Sequence, residues 1–418
     1  MKNVLMIAYH FPPVRVSSGI QRTLKFSQYL LDEGWRAQVL TVHPRAYIQT
    51  SDGQMGEIAM EVTVKRAFAL DTSRHLSIKG RYLGWMALPD RWVSWCFGGV
   101  ISGLNLIRQF RPKVIWSTYP IATAHLLALV LHRITGIPWV ADFRDSMTED
   151  NYPTNPKQWA VYRWIEKQTV RFCSKAVFTT PGAIAMYAER YPEIPDSRWA
   201  LIPNGFDEEN FAQAEREIAK QERSLKNDGP LVLLHSGVLY PSERDPTEFF
   251  KALANLLEQG VIDAKRLKIV LRATGHDELH AHLIEQNGLQ DIVFLEPGVA
   301  YSDALIEMLT VDGLLVFQAS NCNHQIPAKV YEYLRARKPI FALTDPQGDT
   351  AQVLQEAGVS FIVPLDDRVA IQKKMDDFLN QLQQGNIKPE TKAQVGQYSR
   401  QFRTRQLAKL LNEVIEEQ

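Results

Sequence analysis

Lys329 and Glu332 stand three residues apart in the stretch 322–343, CNHQIPAKVYEYLRARKPIFAL. On a helix that spacing puts both side chains on one face. There an ammonium can meet a phosphate, and a carboxylate can accept from a pair of sugar hydroxyls. The surrounding sequence supports such a helix. An apolar run, GLLVF (313–317), reads as a buried strand, and a polar loop with Asn321, Asn323, His324 and Gln325 follows it. Pro327 suits the first turn of a helix, with Ala328 directly after it. A loop that leaves a strand and opens a helix is where α/β sheets bind ligands, because helix-end amides attract phosphate. An amphipathic helix with a solvent-facing Lys–Glu pair has the same spacing, so both readings stay open on this stretch alone.

A second polar group closes the segment 139–145, WVADFRD. Asp142, Arg144 and Asp145 cluster where a strand leaves its sheet. They can pair as structural ions, or in a cleft position a hydroxyl acceptor and steady a departing phosphate. Two glycines mark further loops. Gly19 follows Ser17 and Ser18 in HFPPVRVSSGIQR, where backbone amides could face a phosphate or sugar, or simply turn into a helix. Gly237 ends the run LVLLHSG and opens GVLYPSERDP, which carries Arg244.

These residues must be held by ordinary globular architecture. A chain of 418 residues, 45% hydrophobic and 22% charged, suits two domains with a core each. Net charge is zero, so nothing global points to nucleic acid. Three scattered cysteines, Cys96, Cys173 and Cys322, suit a reducing compartment rather than disulfides or a zinc site. The run at 4–8 is too short for a signal peptide, and the apolar run at 126–131 falls far below the ~20 residues of a membrane span. The expectation is a cytoplasmic protein, soluble or peripheral to the cytoplasmic face of the inner membrane.

The order of elements repeats. Residues 4–9 read as a strand, 23–31 as a helix ended by Gly34, and 37–42 as a second strand, which predicts a parallel sheet. Residues 45–80 read as an irregular polar excursion. The aromatic stretch 81–110 puts Trp92, Trp95 and Gly99 on one helical face. That face is either core or an interfacial surface that touches lipid or a lipid-linked substrate. Further strands are expected at 114–117, 139–145 and 176–179, and a turn at IPNGFD (202–207). A charged run then marks a boundary, and the strand–loop–helix pattern restarts at 231–234. The expected division is residues 1–203, an acceptor-side Rossmann-like domain; 204–228, a linker; 229–395, a donor-binding Rossmann-like domain; and 396–418, a terminal helix. The class is α/β, two doubly wound domains facing a central cleft.

In motif order the chain resembles the GT-B glycosyltransferases, in particular the large retaining group called family four and its bacterial polysaccharide-assembly members. The resemblance rests on FPP…GIQR, WVADFRDSM, IPNGFD, HSGVLYPSERDP, VFLEPGVAYSDALIEML and IPAKVYEYLRARKPIFAL. It implies that the terminal helix returns to the first domain and that Gly19 lies near the donor phosphates and the acceptor. Arg144 falls where many relatives have a histidine close to the transferred sugar. Arg244 and Lys329 would meet the donor diphosphate, with Gly237, Pro327 and Ala328 in the loops that bind it. Glu332 matches the last glutamate of a paired-glutamate motif and would bind the ribose. The first glutamate of that pair falls at His324, and the paired glycine of the first loop is Ser18–Gly19.

These residues suit cleavage of a sugar from a nucleoside diphosphate, with arginine, lysine and helix-end amides meeting the charge on the leaving phosphate. No metal or other cofactor is expected. The expected partners are a nucleotide-sugar donor and a glycan or lipid-linked acceptor, with transfer by retention. Arg144, Asp145 and His324 are the candidates at the reacting centre. Two other readings are a GT-B-fold nucleotide-sugar 2-epimerase and a scaffold that has lost catalysis, the latter motivated by His324.

Overall fold

The computed structural model describes residues 1–15, 19–150, 152–220, 229–388 and 392–417. They divide into two compact units, Met1–Asn204 with Arg400–Gln418, and Gly205–Ser399. Each unit is built on one parallel sheet, so the chain is α/β with two Rossmann-like domains.

The first unit holds β1 (Lys2–Ile7), β2 (Trp35–Val42), β3 (Thr63–Ala67), β4 (Val114–Thr118), β5 (Trp139–Arg144), β6 (Lys175–Phe178) and β7 (Trp199–Leu201). Their order is 3-2-1-4-5-6-7, and every pairing is parallel. Val4, Leu5, Met6 and Ile7 of β1 are all fully buried, as a parallel sheet covered on both faces requires. The strand order reverses between β1 and β4, so the loops leaving them part and open a crevice at their carboxyl ends. The terminal helix Arg400–Glu416 packs on the helix Gly19–Tyr29 and buries Leu407, Leu411 and Val414 in the first unit's core. The return of this helix, implied by the resemblance, is met.

Two local expectations need correction, and one open alternative is decided. The helix after β1 starts at Gly19, four residues before the expected position, so Gly19 lies in its first turn. The excursion at 45–80 conceals β3, TVKRA, which pairs with β2 at the sheet edge; its polar, half-exposed side chains carry no buried-strand signal. Of the two readings of the Trp92–Trp95 face, core is the one observed. Trp95 is fully buried, and the half-buried Trp92 donates its Nε1–H to the carbonyl of Ala46 at 3.2 Å. The helix Trp95–Phe110, which begins at the second of these tryptophans, lies close to its neighbour: a Cβ on Gly99 or Gly103 would come within 2.6 Å of Leu127 or Leu131.

The second unit repeats the plan with β8 (Leu231–Ser236), β9 (Leu267–Arg272), β10 (Val293–Glu296), β11 (Gly313–Phe317), β12 (Ile340–Leu343) and β13 (Ile362–Val363), in the order 10-9-8-11-12-13. Its reversal falls between β8 and β11. Inside the stretch expected as linker, Glu208–Lys220 forms a helix of this unit, while residues 221–228 lie outside the described residues. Much of that helix's charge has a structural use. Arg335, 2% exposed, donates to both carboxylate oxygens of Glu208 at 2.5 and 2.6 Å and to Glu215 at 2.9 Å, and its guanidinium lies over the Phe211 ring.

One buried ion pair ties the first unit together. Arg22 donates from Nε and Nη2 to the two oxygens of Asp142 at 2.9 and 2.8 Å, with 3% and 0% of the side chains exposed. The Thr118 hydroxyl donates to Asp142 at 2.9 Å, and Arg22 donates onward to the carbonyls of Ile202 and Pro203 at 2.9 and 3.1 Å. Removing one partner strands the other charge in the core, at a cost of about 3–5 kcal/mol. Arg22→Ala should therefore lower the urea unfolding free energy by about that amount. Arg22→Leu with Asp142→Leu should cost less than the sum of the two single changes, because no charge is then left unpaired.

Candidate functional site

In the first unit, Gly19, Arg144 and Asp145 come together at the strand ends. Gly19 begins its helix, and its carbonyl accepts from Arg144 Nη1 at 3.3 Å. Arg144 has φ +60°, in the left-handed region, where the register of β5 on β6 shifts between Asp142 and Arg144. For a residue with a Cβ that conformation costs roughly 1–2 kcal/mol. The bulge divides the DFRD cluster. Asp142 turns inward to Arg22, Arg144 is half-buried, and Asp145 is exposed. Among the described residues Arg144 Nε has no hydrogen-bond partner. Burial lowers the pKa of its guanidinium, and the carboxylates of Asp145 and Asp142 oppose that shift. Ser17 and Ser18 lie outside the described residues.

His10 belongs to this group and was not singled out from the sequence. A Cβ on Gly19 would stand 3.3 Å from its Nδ1. Burial, with Arg144 adding to it, pushes its pKa down to about 4, so the ring is neutral at physiological pH. Its place directly after β1, in HFPP, was the available signal.

In the second unit the loops after β8 and β11, which flank the strand reversal, are bonded to each other. The Ala319 N–H donates to the carbonyl of Glu243 at 2.7 Å, and the Asn321 side chain to that of Ser242 at 2.9 Å. The Ser236 N–H donates to Tyr333 Oη at 2.8 Å, joining β8 to the helix Lys329–Ala336. Gly237 has φ +147°, a conformation a side chain would strain. Arg244 curls back over its own loop, donating from Nη1 to the carbonyl of Val238 at 2.9 Å, and its guanidinium lies 5.6 Å from the Tyr240 ring. Among the described residues no carboxylate pairs with it.

The Lys–Glu pair is on one face, as the spacing predicts. Lys329 Nζ lies 2.8 Å from Glu332 Oε2, with the lysine 34% and the glutamate 7% exposed. Tyr301, which the sequence pattern within YSDALIEML did not mark, donates its hydroxyl to Glu332 Oε1 at 3.0 Å, and its ring faces the Lys329 ammonium at 5.6 Å. The helix begins at Lys329 with Ala328 as its cap, so Pro327 sits just ahead of the helix rather than in its first turn. The Pro327 carbonyl accepts from the Val330 N–H at 3.0 Å. His324 is half-buried in a loop that Gln318 braces, donating to the carbonyls of Cys322 and Gln325 at 2.7 and 2.8 Å. Gly237, Arg244, Lys329 and Glu332 thus share one strand-end region of the second unit.

His235, in β8, underlies that region. Its Nδ1 lies 3.0 Å from the carbonyl of Leu315, which can only accept, so Nδ1 carries the proton. Burial pushes its pKa down to about 4, and the nearby Arg244 and Lys329 add to the effect. His125, buried against Ser117 in the first unit, is pushed by burial to about 3. Such histidines take up a proton more readily unfolded than folded. Stability is therefore full above about pH 6.5 and falls as the pH drops towards 4. Each of these two rings should cost about 3 kcal/mol at pH 4. Urea unfolding at pH 7 and pH 4.5 should show the loss, and His235→Leu should shrink the difference between the two.

Residues 19–205 match the glycosyl transferase 4-like domain. No curated protein matches the chain. Solved structures match along its whole length. Sucrose-phosphate synthase from Thermosynechococcus elongatus superposes with a TM-score of 0.69 at 13% identity, covering 100% of both chains. Anabaena HepE, solved with UDP, gives 0.66 at 13% identity over 99% of this chain and 100% of that one. The UDP-GlcNAc 2-epimerase of Neisseria meningitidis, bound to UDP-GlcNAc, gives 0.58 at 11% identity over 99% of this chain and 100% of that one. At these identities the likeness is one of fold, and it is the domain at 19–205 that speaks to activity. Residues 19–205 thus carry a glycosyl transferase 4-like domain, and the chain as a whole has the GT-B fold.

Proposed function

We propose that this transferase moves a sugar from a nucleoside-diphosphate donor to a glycan or lipid-linked acceptor, with retention, in polysaccharide assembly at the cytoplasmic face of a membrane. The observation that carries the donor reading is the meeting of the β8 and β11 loops. Two strand-end loops bonded to each other bring Arg244, which no carboxylate among the described residues holds, to the same buried histidine as Lys329, and set Glu332 one turn along the helix. HepE, of the same fold, is solved with UDP-glucose. Among the described residues no helix is long and apolar enough to cross a membrane.

The chemistry follows from the residue types. As the bond from the anomeric carbon to the phosphate oxygen breaks, negative charge gathers on the leaving diphosphate. Arg244, Lys329 and the positive end of the helix Lys329–Ala336 meet that charge, so in this reading no metal or other cofactor takes part. The Lys329 ammonium has donors beyond the one turned to Glu332, so it can hold the carboxylate and a phosphate oxygen together. Glu332, kept oriented by Tyr301, accepts from the ribose hydroxyls. The acceptor hydroxyl forms the new bond on the face the diphosphate leaves, and its proton passes to the departing phosphate oxygen. Gly19, Arg144 and Asp145 serve the acceptor side, and His324 stands beside the sugar where relatives carry a carboxylate.

A panel of nucleoside diphosphates and their sugars, read by thermal shift, identifies the donor, because a ligand bound only by the folded state raises its stability by mass action. With that donor, Arg244→Ala and Glu332→Ala should each lower kcat/KM at least about tenfold. Tyr301→Phe should raise KM for the donor by a smaller factor, since Glu332 keeps its lysine. Wild-type rates in both alanine variants would remove these residues from the site. Nucleotide binding without turnover would favour the scaffold, and an acceptor-independent change in donor stereochemistry the epimerase.

A further inference from the structure

Residues 72–113 carry seven basic side chains and one acidic one, in a chain whose 47 basic and 47 acidic residues balance overall. The single acid, Asp90, is buried, and it accepts from both the N–H and the hydroxyl of Thr123 at 2.8 Å, so it offers no charge to solvent. Arg74, Lys79, Arg81 and Arg108 are exposed. Large apolar side chains stand among them: Ile78 is 80% exposed, Leu83 61%, Trp85 70%, Phe97 77% and Ile101 67%. Single exposed hydrophobics are ordinary on any surface, whereas a group of this kind beside bases, with no exposed acid within residues 72–113, marks an interaction face.

The packing of the unit explains why these side chains face outward. The helix Trp95–Phe110 turns Trp95, Gly99, Gly103 and Leu106 inward. Phe97 and Ile101, four residues apart, form a stripe on its exposed side, and Arg108 continues that stripe two turns on. Phe68, half-exposed, lies beside the start of the helix. Its carbonyl would stand 2.5 Å from a Cβ on Gly98, and the Arg45 guanidinium covers its ring at 5.4 Å. The segment between is tied to the same place. The Leu70 N–H donates to Ser94 Oγ at 2.8 Å, the Thr72 N–H to the carbonyl of Arg91 at 2.8 Å, and the Thr72 hydroxyl to that of Met86 at 3.0 Å. Ile78 and Arg81 exchange backbone hydrogen bonds at 2.9 and 3.0 Å, closing a turn that exposes Ile78 and Lys79.

We propose that this face seats the protein on an anionic lipid bilayer, with Trp85, Phe97 and Ile101 entering the boundary between headgroups and chains while the surrounding bases meet lipid phosphates. Aromatic and aliphatic side chains at that depth, flanked by lysine and arginine, bind by apolar burial and by attraction to the negative surface together. The excess of exposed bases over acids within residues 72–113 is the complementarity that selects an anionic lipid surface over a second copy of this neutral chain. The inference builds on the reading of a membrane-face transferase with a lipid-linked acceptor, and it places the contact on residues other than Trp92 and Trp95.

The test uses the full chain in flotation with phosphatidylglycerol–phosphatidylethanolamine vesicles and with phosphatidylcholine vesicles. Binding to the anionic vesicles should be at least about tenfold stronger and should weaken with salt. Phe97→Asp with Ile101→Asp should reduce it at least about tenfold, and Lys79→Glu with Arg81→Glu should reduce it and flatten its salt dependence. Both variants change exposed side chains only, so both should keep the wild-type Tm and the wild-type thermal stabilisation by nucleoside diphosphate. Failure of wild type to bind, or undiminished binding by Phe97→Asp with Ile101→Asp, would overturn the proposal. A wild-type dimer in light scattering that this variant dissociates would overturn it too, assigning the face to a second copy. Loss of nucleotide stabilisation in wild type would count against the transferase site and leave the lipid result standing.

Discussion

The first unit depends on one saturated ion pair. Four segments distant in sequence converge on Arg22 and Asp142: the helix after β1, the ends of β4 and β5, and the chain leaving β7. With Thr118 as a third donor to Asp142 and two carbonyls taking the remaining arginine contacts, little hydrogen-bonding capacity is left over. In a low-dielectric interior such a network holds its geometry, because leaving any member unpaired is costly. It also governs the residues directly after Asp142. With Asp142 held inward and the register shifted at the next strand, Arg144 and Asp145 are turned out of the sheet. The left-handed backbone at Arg144 is a strain that this anchoring sustains.

The pair in the second unit has the opposite character. Lys329 and Glu332 carry the same kinds of charge at a similar distance, yet the lysine is about one-third exposed, and Tyr301 is the further polar partner seen among the described residues. An ammonium has three donors, and an arriving phosphate can share them without leaving the carboxylate bare. Arg244 differs again, resting on backbone carbonyl and an aromatic face rather than on an acid. Burial and the number of bonds already made separate structural ions from ions open to a ligand. Charge and spacing alone do not.

That distinction marks what could be read from the sequence. The buried parallel strands were legible in runs such as VLMIAY and GLLVF, because a strand covered on both faces has to be apolar throughout. The loops that carry Gly237, Arg244 and Lys329 were legible as joints between strand and helix. β3 was not, since an edge strand with polar, half-exposed residues has no apolar run, and neither was Glu208–Lys220, whose acidic side chains await an arginine over 100 residues away. Periodicity grouped Trp92 with Trp95, but a helical face does not say which way it points. Tyr301 and Arg22 act through partners 31 and 120 residues distant, which no local pattern encodes.

The two units also match in a way that bears on their electrostatics. In each, a histidine sits at the carboxyl end of the first strand beside an arginine: His10 after β1 with Arg144, and His235 in β8 with Arg244. Burial is the larger cause of both depressed pKa values, and the neighbouring cations deepen them to about 4. A protonated ring at either place would add a positive charge that rises and falls across the range where an ordinary histidine titrates. Held neutral, neither ring does. Positive charge at these strand ends therefore comes from arginine, lysine and helix-end amides rather than from either ring. In the proposed donor site of the second unit, a diphosphate gaining charge as its bond breaks would meet an uncharged His235, and the depth at which that imidazole is buried keeps it so.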